Sequence, residues 1–234
     1  AAFLAGPVRS LLTPSVHRTI DQNFWSCFRG RTVLFARLYD VGLLDVSRAR
    51  SLHCILVSIS GGRGEWSAPP ASGKAFVHDA SHISRCRFAS GTQLAQHTYM
   101  AQSLERQLAT LRACYERMVH YERVQAMRFD WILRTRTDTA FLRPVKPHCA
   151  IDPSAIYHAR AFGKGGNGSI HHMFADHAAI VPRELAHALF VRVAARLAKC
   201  VTHGEALPPS HSEPESFLHH ELLALGVRST NAEW

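Results

Sequence analysis

A chain of 234 residues, 47% apolar and 19% charged, has the balance of a folded protein and can bury a core without disulfide or metal staples. Its longest apolar runs, such as Leu52–Ile59, fall far short of the roughly 20 residues that cross a bilayer, which excludes a transmembrane helix. Lys plus Arg is 27 against 18 Asp plus Glu, and the resulting +9, mostly arginine, suits a partner bearing phosphate: a nucleic acid, a membrane surface or a small substrate.

The chain opens with an apolar run, Phe3 to Arg9, that reads as a strand ending in a turn at Gly6-Pro7. Thr13-Pro14 then predicts a helix start, with Thr13 as N-cap and Pro14 in the first turn. Val16, Ile20 and Phe24 follow at spacings of four, and the helix is expected to end near Gly30. Thr32–Ala36 reads as a buried strand, Val41–Arg50 as a short helix and Leu52–Ile59 as a second buried strand. This β-α-β-α-β opening predicts an α/β fold, a mostly parallel sheet with helices on both faces. Residues 60–91, rich in Gly and Pro, read as a long loop or an excursion from a single domain spanning 1–234.

Thr92–Met127 carries the clearest periodicity. Leu94, Ala101, Leu104, Leu108, Leu111, Tyr115 and Met118 mark one face of a long helix. Phe129–Leu142 reads as a strand from its aromatic and β-branched content. Residues 144–170 look irregular, with Gly163, Gly165, Gly166 and Gly168 crowded together. A short strand is expected within Phe174–Val181, then a helix from Pro182 with Leu185, Leu189, Val193 and Leu197 inward. A Pro-rich link at 208–214 leads to a last helix at 215–225, with Gly226 placed to cap it.

Six cysteines, at 27, 54, 86, 114, 149 and 200, show no C-x-x-C spacing. A zinc knuckle or a thioredoxin-type motif is unsupported, and buried free thiols are the expectation. His171, His172, Asp176 and His177 cluster without the H-E-x-x-H pattern of a zinc protease. Gly163-Lys164-Gly165-Gly166-Asn167-Gly168 lacks P-loop spacing and reads as a flexible loop. There is no G-x-S-x-G nucleophile elbow and no G-x-G-x-x-G after the first strand, which argues against serine hydrolase and dinucleotide-dependent dehydrogenase chemistry.

The chemistry concentrates in the strand after the long helix. Side chains alternate along a strand, so Arg134, Arg136 and Asp138 share one face and Trp131, Leu133, Thr135 and Thr137 the other. Charges of both signs there either pair as a structural network or line a cleft, and ligands of open α/β sheets bind at the carboxyl ends of strands. Arg9 would stand in the loop after the first strand, at the same edge. Ser212-Glu213-Pro214-Glu215 fits a capping box, and its Glu215 could instead serve an acceptor.

The stretch Arg128–Asp138 resembles the "YDWVIRxRxD" signature of a largely uncharacterised GT-A-like glycosyltransferase family of plants, algae and protists. Gly6-Pro7-Val8-Arg9 is similar to its opening G-x-x-R. Gln107–Glu122 resembles its long helix, Phe174–Arg183 its "D-x-x-A-I-x-x-R" segment, and Pro214–Val227 its closing helix. The resemblance implies a GT-A-like nucleotide-binding sandwich that transfers a sugar from a nucleotide-sugar donor to a glycan or other hydroxyl acceptor. Gly6, Arg9, Arg134, Arg136 and Asp138 would serve the donor, and Asp176 or Glu215 the acceptor hydroxyl.

In GT-A-like enzymes, which the resemblance implies, the usual acidic motif is an Asp-x-Asp pair that holds Mn²⁺ or Mg²⁺ on the donor diphosphate. Here Asp138 matches the second position and Arg136 stands at the first. The expected metal ligand is therefore Asp138, or else Arg134 and Arg136 neutralise the diphosphate directly. Two rival readings are a non-catalytic nucleotide-sugar or glycan binder of the same fold and a basic nucleic-acid-binding module. The dispersed arginines speak against the second. The resemblance implies the Golgi lumen if an anchor precedes this chain, and the cytoplasm otherwise.

Overall fold

The first strand shows how this sequence builds its sheet. Phe3 and Ala5 point to one face and Ala2 and Leu4 to the other, all buried. A strand apolar on both faces belongs at the centre of a sheet. In the computed structural model, which describes residues 1–25, 32–39, 55–56, 64–67, 94–145, 151–164, 170–203 and 214–232, that is where it lies.

Among the described residues seven strands form the sheet: β1 (Ala2–Pro7), β2 (Leu34–Tyr39), β3 (Gly64–Ser67), β4 (Trp131–Arg136), β5 (Ala155–Lys164), β6 (Ile170–Pro182) and β7 (Arg228–Asn231). Their order is β3-β2-β1-β4-β6-β5-β7. β1 pairs in parallel with both β2 and β4, β2 with β3 and β5 with β7, while β6 runs antiparallel to β4 and β5. The expected mixed α/β architecture with a mostly parallel sheet is present.

On one face lie α3 (Leu94–Val124), α4 (Arg183–His187) running through a π turn (Ala188–Arg192) into α5 (Val193–His203), and α6 (Pro214–Ala224). Leu104, Leu108, Leu111, Tyr115 and Met118 of α3 meet Phe3, Phe35, Phe190, Phe217 and Val193 there. Phe3 packs against Phe35 at 6.0 Å and Phe190 at 5.1 Å between ring centroids. Burying each such ring contributes about 1.5–3 kcal/mol. The opposite face is covered by α1 (Val8–Leu11) and by α2 (Pro14–Thr19), which continues as a π turn (Ile20–Phe24). Leu11, Ile20, Phe24 and Trp25 bury against Leu4, Leu34, Leu38, Leu133 and Ile180.

Pro14 starts α2 as the sequence predicts, although the Thr13 side chain makes no capping hydrogen bond. Gly226 takes φ +69° and ends α6 with its own amide on the Leu223 carbonyl and that of Val227 on Leu222. That is the Schellman pattern a C-terminal glycine permits.

Two expectations need correction. Ile55 and Leu56 are helical, and the third parallel strand is Gly64–Ser67, inside the stretch read as a loop. A short apolar run does not distinguish a buried strand from a buried helix by periodicity. Secondly, the irregular stretch 144–170 contains the ten-residue β5. The expected short strand in Phe174–Val181 belongs to a 13-residue one, β6, and Gly163 and Lys164 pair with His171 and Ile170 as ladder residues. The Val41–Arg50 helix and the 208–213 link lie outside the described residues.

Candidate functional site

The chain leaves β1 toward β2 and β3, then returns to place β4 on β1's other side. The order therefore reverses between β1 and β4. In open α/β sheets a crevice forms at such a switch point, outside the carboxyl ends of the two strands. Gly6 and Pro7 end β1 and Arg9 comes just after it; Arg136 ends β4, with Thr137 and Asp138 just beyond.

Those two strand ends are locked together. Thr137 donates its amide to the Ala5 carbonyl at 3.3 Å and its hydroxyl to the Pro7 carbonyl at 2.9 Å. Gly6 has φ +150°, and a Cβ there would lie 2.2 Å from Thr137 Oγ1. Only glycine supplies both that backbone angle and that clearance. Gly6, a donor-site candidate in the sequence, closes β1 on Thr137. Thr137 itself was placed by sequence only as a side chain on the opposite face.

Arg136 and Asp138 flank this lock. Arg136 donates Nε to Asp138 Oδ1 at 2.9 Å and Nη2 to Oδ2 at 2.6 Å, a two-point fork. The Arg136 hydrogen bonds hold the Asp138 carboxyl below the usual carboxylate range, against a smaller upward push from burial. Both side chains remain about one-third exposed, at 33% and 34%. Asp138 is thus an ionised carboxylate at the rim with both oxygens engaged.

The segment that leaves Asp138 is pinned to α2 and its π turn. The Phe141 amide donates to Thr19 Oγ1 at 3.1 Å, and Asn23 Nδ2 donates to the Phe141 carbonyl at 2.6 Å. The Val145 amide donates to the Asn23 carbonyl at 2.8 Å, and Phe141 stacks on Phe24 at 4.5 Å. Thr19, Asn23 and Phe141 act as positioning groups that sequence reasoning missed. Their signal is present only in three dimensions, since more than a hundred residues separate partners.

β6 brings a third strand to the rim in mid-course because it runs antiparallel. Ala178 pairs with Thr135 of β4. On the other side Ala179 pairs with His158 and Phe174 with Arg160, so residues 175–178 stand opposite Ala159 alone. This wide bulge carries the backbone of Asp176 and His177 just past the end of the β4 ladder. His177 is exposed, and its charge helps to depress the Asp138 pKa. Bulges recur beside active sites because they re-aim side chains.

The other expected residues are placed differently. Arg134 is 2% exposed, aligned in register between Phe3 of β1 and Ala179 of β6. It lies a layer below the rim. Arg9 is the second residue of α1, directly after β1. Glu215 stands half-buried in the first turn of α6, the helix that packs on β6. Ser212, its proposed capping partner, lies outside the described residues.

The Mn²⁺ or Mg²⁺ expected at Asp138 would share that carboxylate with Arg136. Each oxygen of Asp138 accepts a hydrogen bond from that guanidinium, and a cation stands where the second carboxylate would be. Among the described residues no group of three or more His, Cys, Asp or Glu is arranged to hold a metal ion. Cys114, a buried free thiol whose pKa burial pushes up to about 12, is inert. Among the described residues no helix is long and apolar enough to cross a membrane.

Compared with known proteins, the chain matches no family model and no curated protein.

Proposed function

We propose that this chain is a GT-A-like glycosyltransferase that moves a sugar from a nucleotide-sugar to a hydroxyl acceptor. The observation that carries this reading is the switch-point rim, where an exposed Arg136–Asp138 fork straddles the Thr137 lock between β1 and β4. A phosphate-bearing ligand meets there a guanidinium suited to bind it at two points.

The transfer breaks the bond between the anomeric carbon and the diphosphate oxygen. It forms a bond from that carbon to the acceptor oxygen, whose proton must pass to a base. Arg136, with Arg9 on the neighbouring β1 side, would stabilise charge developing on the departing diphosphate. Arg134 would act from beneath as a buried support for β4. Asp176, whose backbone lies on the β6 bulge, is the favoured acceptor-side carboxylate, with Glu215 of α6 as the alternative.

Ligand that binds the folded state alone raises the unfolding midpoint. Thermal unfolding with a panel of nucleoside diphosphates and nucleotide-sugars should therefore show a shift for at least one nucleotide. No shift at millimolar ligand sinks the proposal. Release of nucleoside diphosphate on adding sugar alcohols or glycans then separates a transferase from the alternative, a non-catalytic binder. The engagement of both Asp138 oxygens by Arg136 is the specific feature that favours that alternative.

A further inference from the structure

We propose that the rim binds the diphosphate of a nucleoside diphosphate through Arg136, with no divalent cation bridging it to Asp138. This rests on the donor-site reading above and goes beyond it by assigning the group that answers the ligand's charge.

The geometry of the fork carries the argument. A divalent cation on a carboxylate sits about 2.0–2.6 Å from its oxygens. At Asp138 those positions belong to Arg136 Nε and Nη2, at 2.9 and 2.6 Å from Oδ1 and Oδ2. A metal chelated by both oxygens would have to displace the guanidinium, and one held on a single remaining lone pair would sit beside it, cation against cation. A diphosphate faces the opposite balance. It is drawn to the same guanidinium, and Arg136 needs only to exchange one anionic partner for another.

The pair's location separates it from an ordinary surface ion pair. It joins residues two apart in sequence and therefore ties no distant parts of the fold together. Between them Thr137 is fixed to both Ala5 and Pro7. Arg136 and Asp138 are thus held by their own backbone at the switch point, independent of the fork. Asp138 keeps Arg136 aimed while the site is empty, and its low pKa keeps it charged for that task at neutral pH.

The test is calorimetric titration of uridine, guanosine, adenosine and cytidine diphosphates into the whole chain, in EDTA and in Mn²⁺. The wild type, Arg136→Ala, Arg136→Lys and Arg136→Asp are compared, with circular dichroism confirming that each is folded. The expected result is a wild-type Kd that agrees within about twofold between EDTA and Mn²⁺. Arg136→Ala should weaken it at least tenfold, and Arg136→Lys should restore part of it. Arg136→Asp removes the guanidinium and places a second carboxylate beside Asp138. Its binding should vanish in EDTA and return with Mn²⁺.

Wild-type binding that appears only with Mn²⁺ overturns the inference and leaves the donor-site reading intact. The same holds if Arg136→Ala binds in EDTA as tightly as wild type. Absence of binding by every nucleotide in both buffers overturns both.

Discussion

An arginine grips a carboxylate at each end of β4, and the two grips differ in everything but chemistry. At the entry, Arg183 places Nε and Nη2 on Glu122 at 2.8–3.2 Å, with side chains 14% and 8% exposed. Glu122 also accepts the Phe129 amide at 3.0 Å, and Arg183 donates to the Tyr115 hydroxyl at 3.1 Å. Burial raises the Glu122 pKa, but the Arg183 and Phe129 hydrogen bonds outweigh it and hold the group low. This cluster binds α3, β4 and α4 to one another. At the exit, the Arg136–Asp138 fork is one-third exposed and spans two residues of the same segment. The first pair is architecture; the second leaves its charge within reach of solvent at the carboxyl end of β4.

Removing one partner from each end should separate these roles. Glu122→Ala leaves Arg183 buried without its carboxylate and is expected to cost about 3–5 kcal/mol of stability. A urea midpoint within error of wild type would refute the architectural assignment. Nucleotide affinity measured below the transition should be little changed.

Midway between the ends, at the register level of Arg134, His158 supplies a pH contrast. It is buried against Phe174, its Nδ1 donates to the Ala159 carbonyl at 2.8 Å, and burial lowers its pKa from 6.5 to about 4. Between those values the unfolded chain binds the proton and the fold does not. Stability therefore falls as pH drops from about 6.5 toward 4, by about 3 kcal/mol from this residue. The difference between wild-type and His158→Phe melting curves should open across that window. Parallel curves would remove His158 from the account.

Gly6→Ala attacks the exit lock rather than its charges. A Cβ forced against Thr137 Oγ1 at 2.2 Å should cost about 1–3 kcal/mol and abolish the nucleotide-induced shift. An alanine variant with unchanged midpoint and intact nucleotide response would show that the lock is not needed.

Asp138→Asn should be the mildest in stability, at less than about 1 kcal/mol, as expected of a partly exposed pair. Its nucleotide affinity should nevertheless fall, because Arg136 loses its aim. That profile is the reverse of Glu122→Ala, and finding the same profile for both would erase the distinction between the two ends.

Much of this organisation is legible in the sequence. The long helix declares itself through Leu104, Leu108, Leu111, Tyr115 and Met118, all buried as its spacing predicts. The β4 segment stands out because charges follow aromatics in one strand. What is hidden is non-local. β5 escapes notice because its glycine-rich end imitates a loop, although pairing with β6 on one side and β7 on the other makes it a strand. Arg134 and Arg136 look equivalent in sequence, yet one layer of depth makes the first a core residue. The Asp176 bulge depends on two ladders falling out of step, which no local propensity encodes. Nor does Gly6 betray in sequence that Thr137 presses on it.

The central strand has a further consequence for how the molecule comes into being. Ala2 stands in register with Leu34 on one side and Leu133 on the other. Contacts so far apart in sequence slow folding, because the chain loses loop entropy before they reward it. During synthesis β1 must wait beside β2 until the whole long helix and β4 have left the ribosome. An apolar edge stands open through that interval, and it is the edge on which β4 later completes the proposed site. The rim therefore cannot begin to assemble until β4 has emerged, and ribosome-bound chains stopped before β4 should be aggregation-prone.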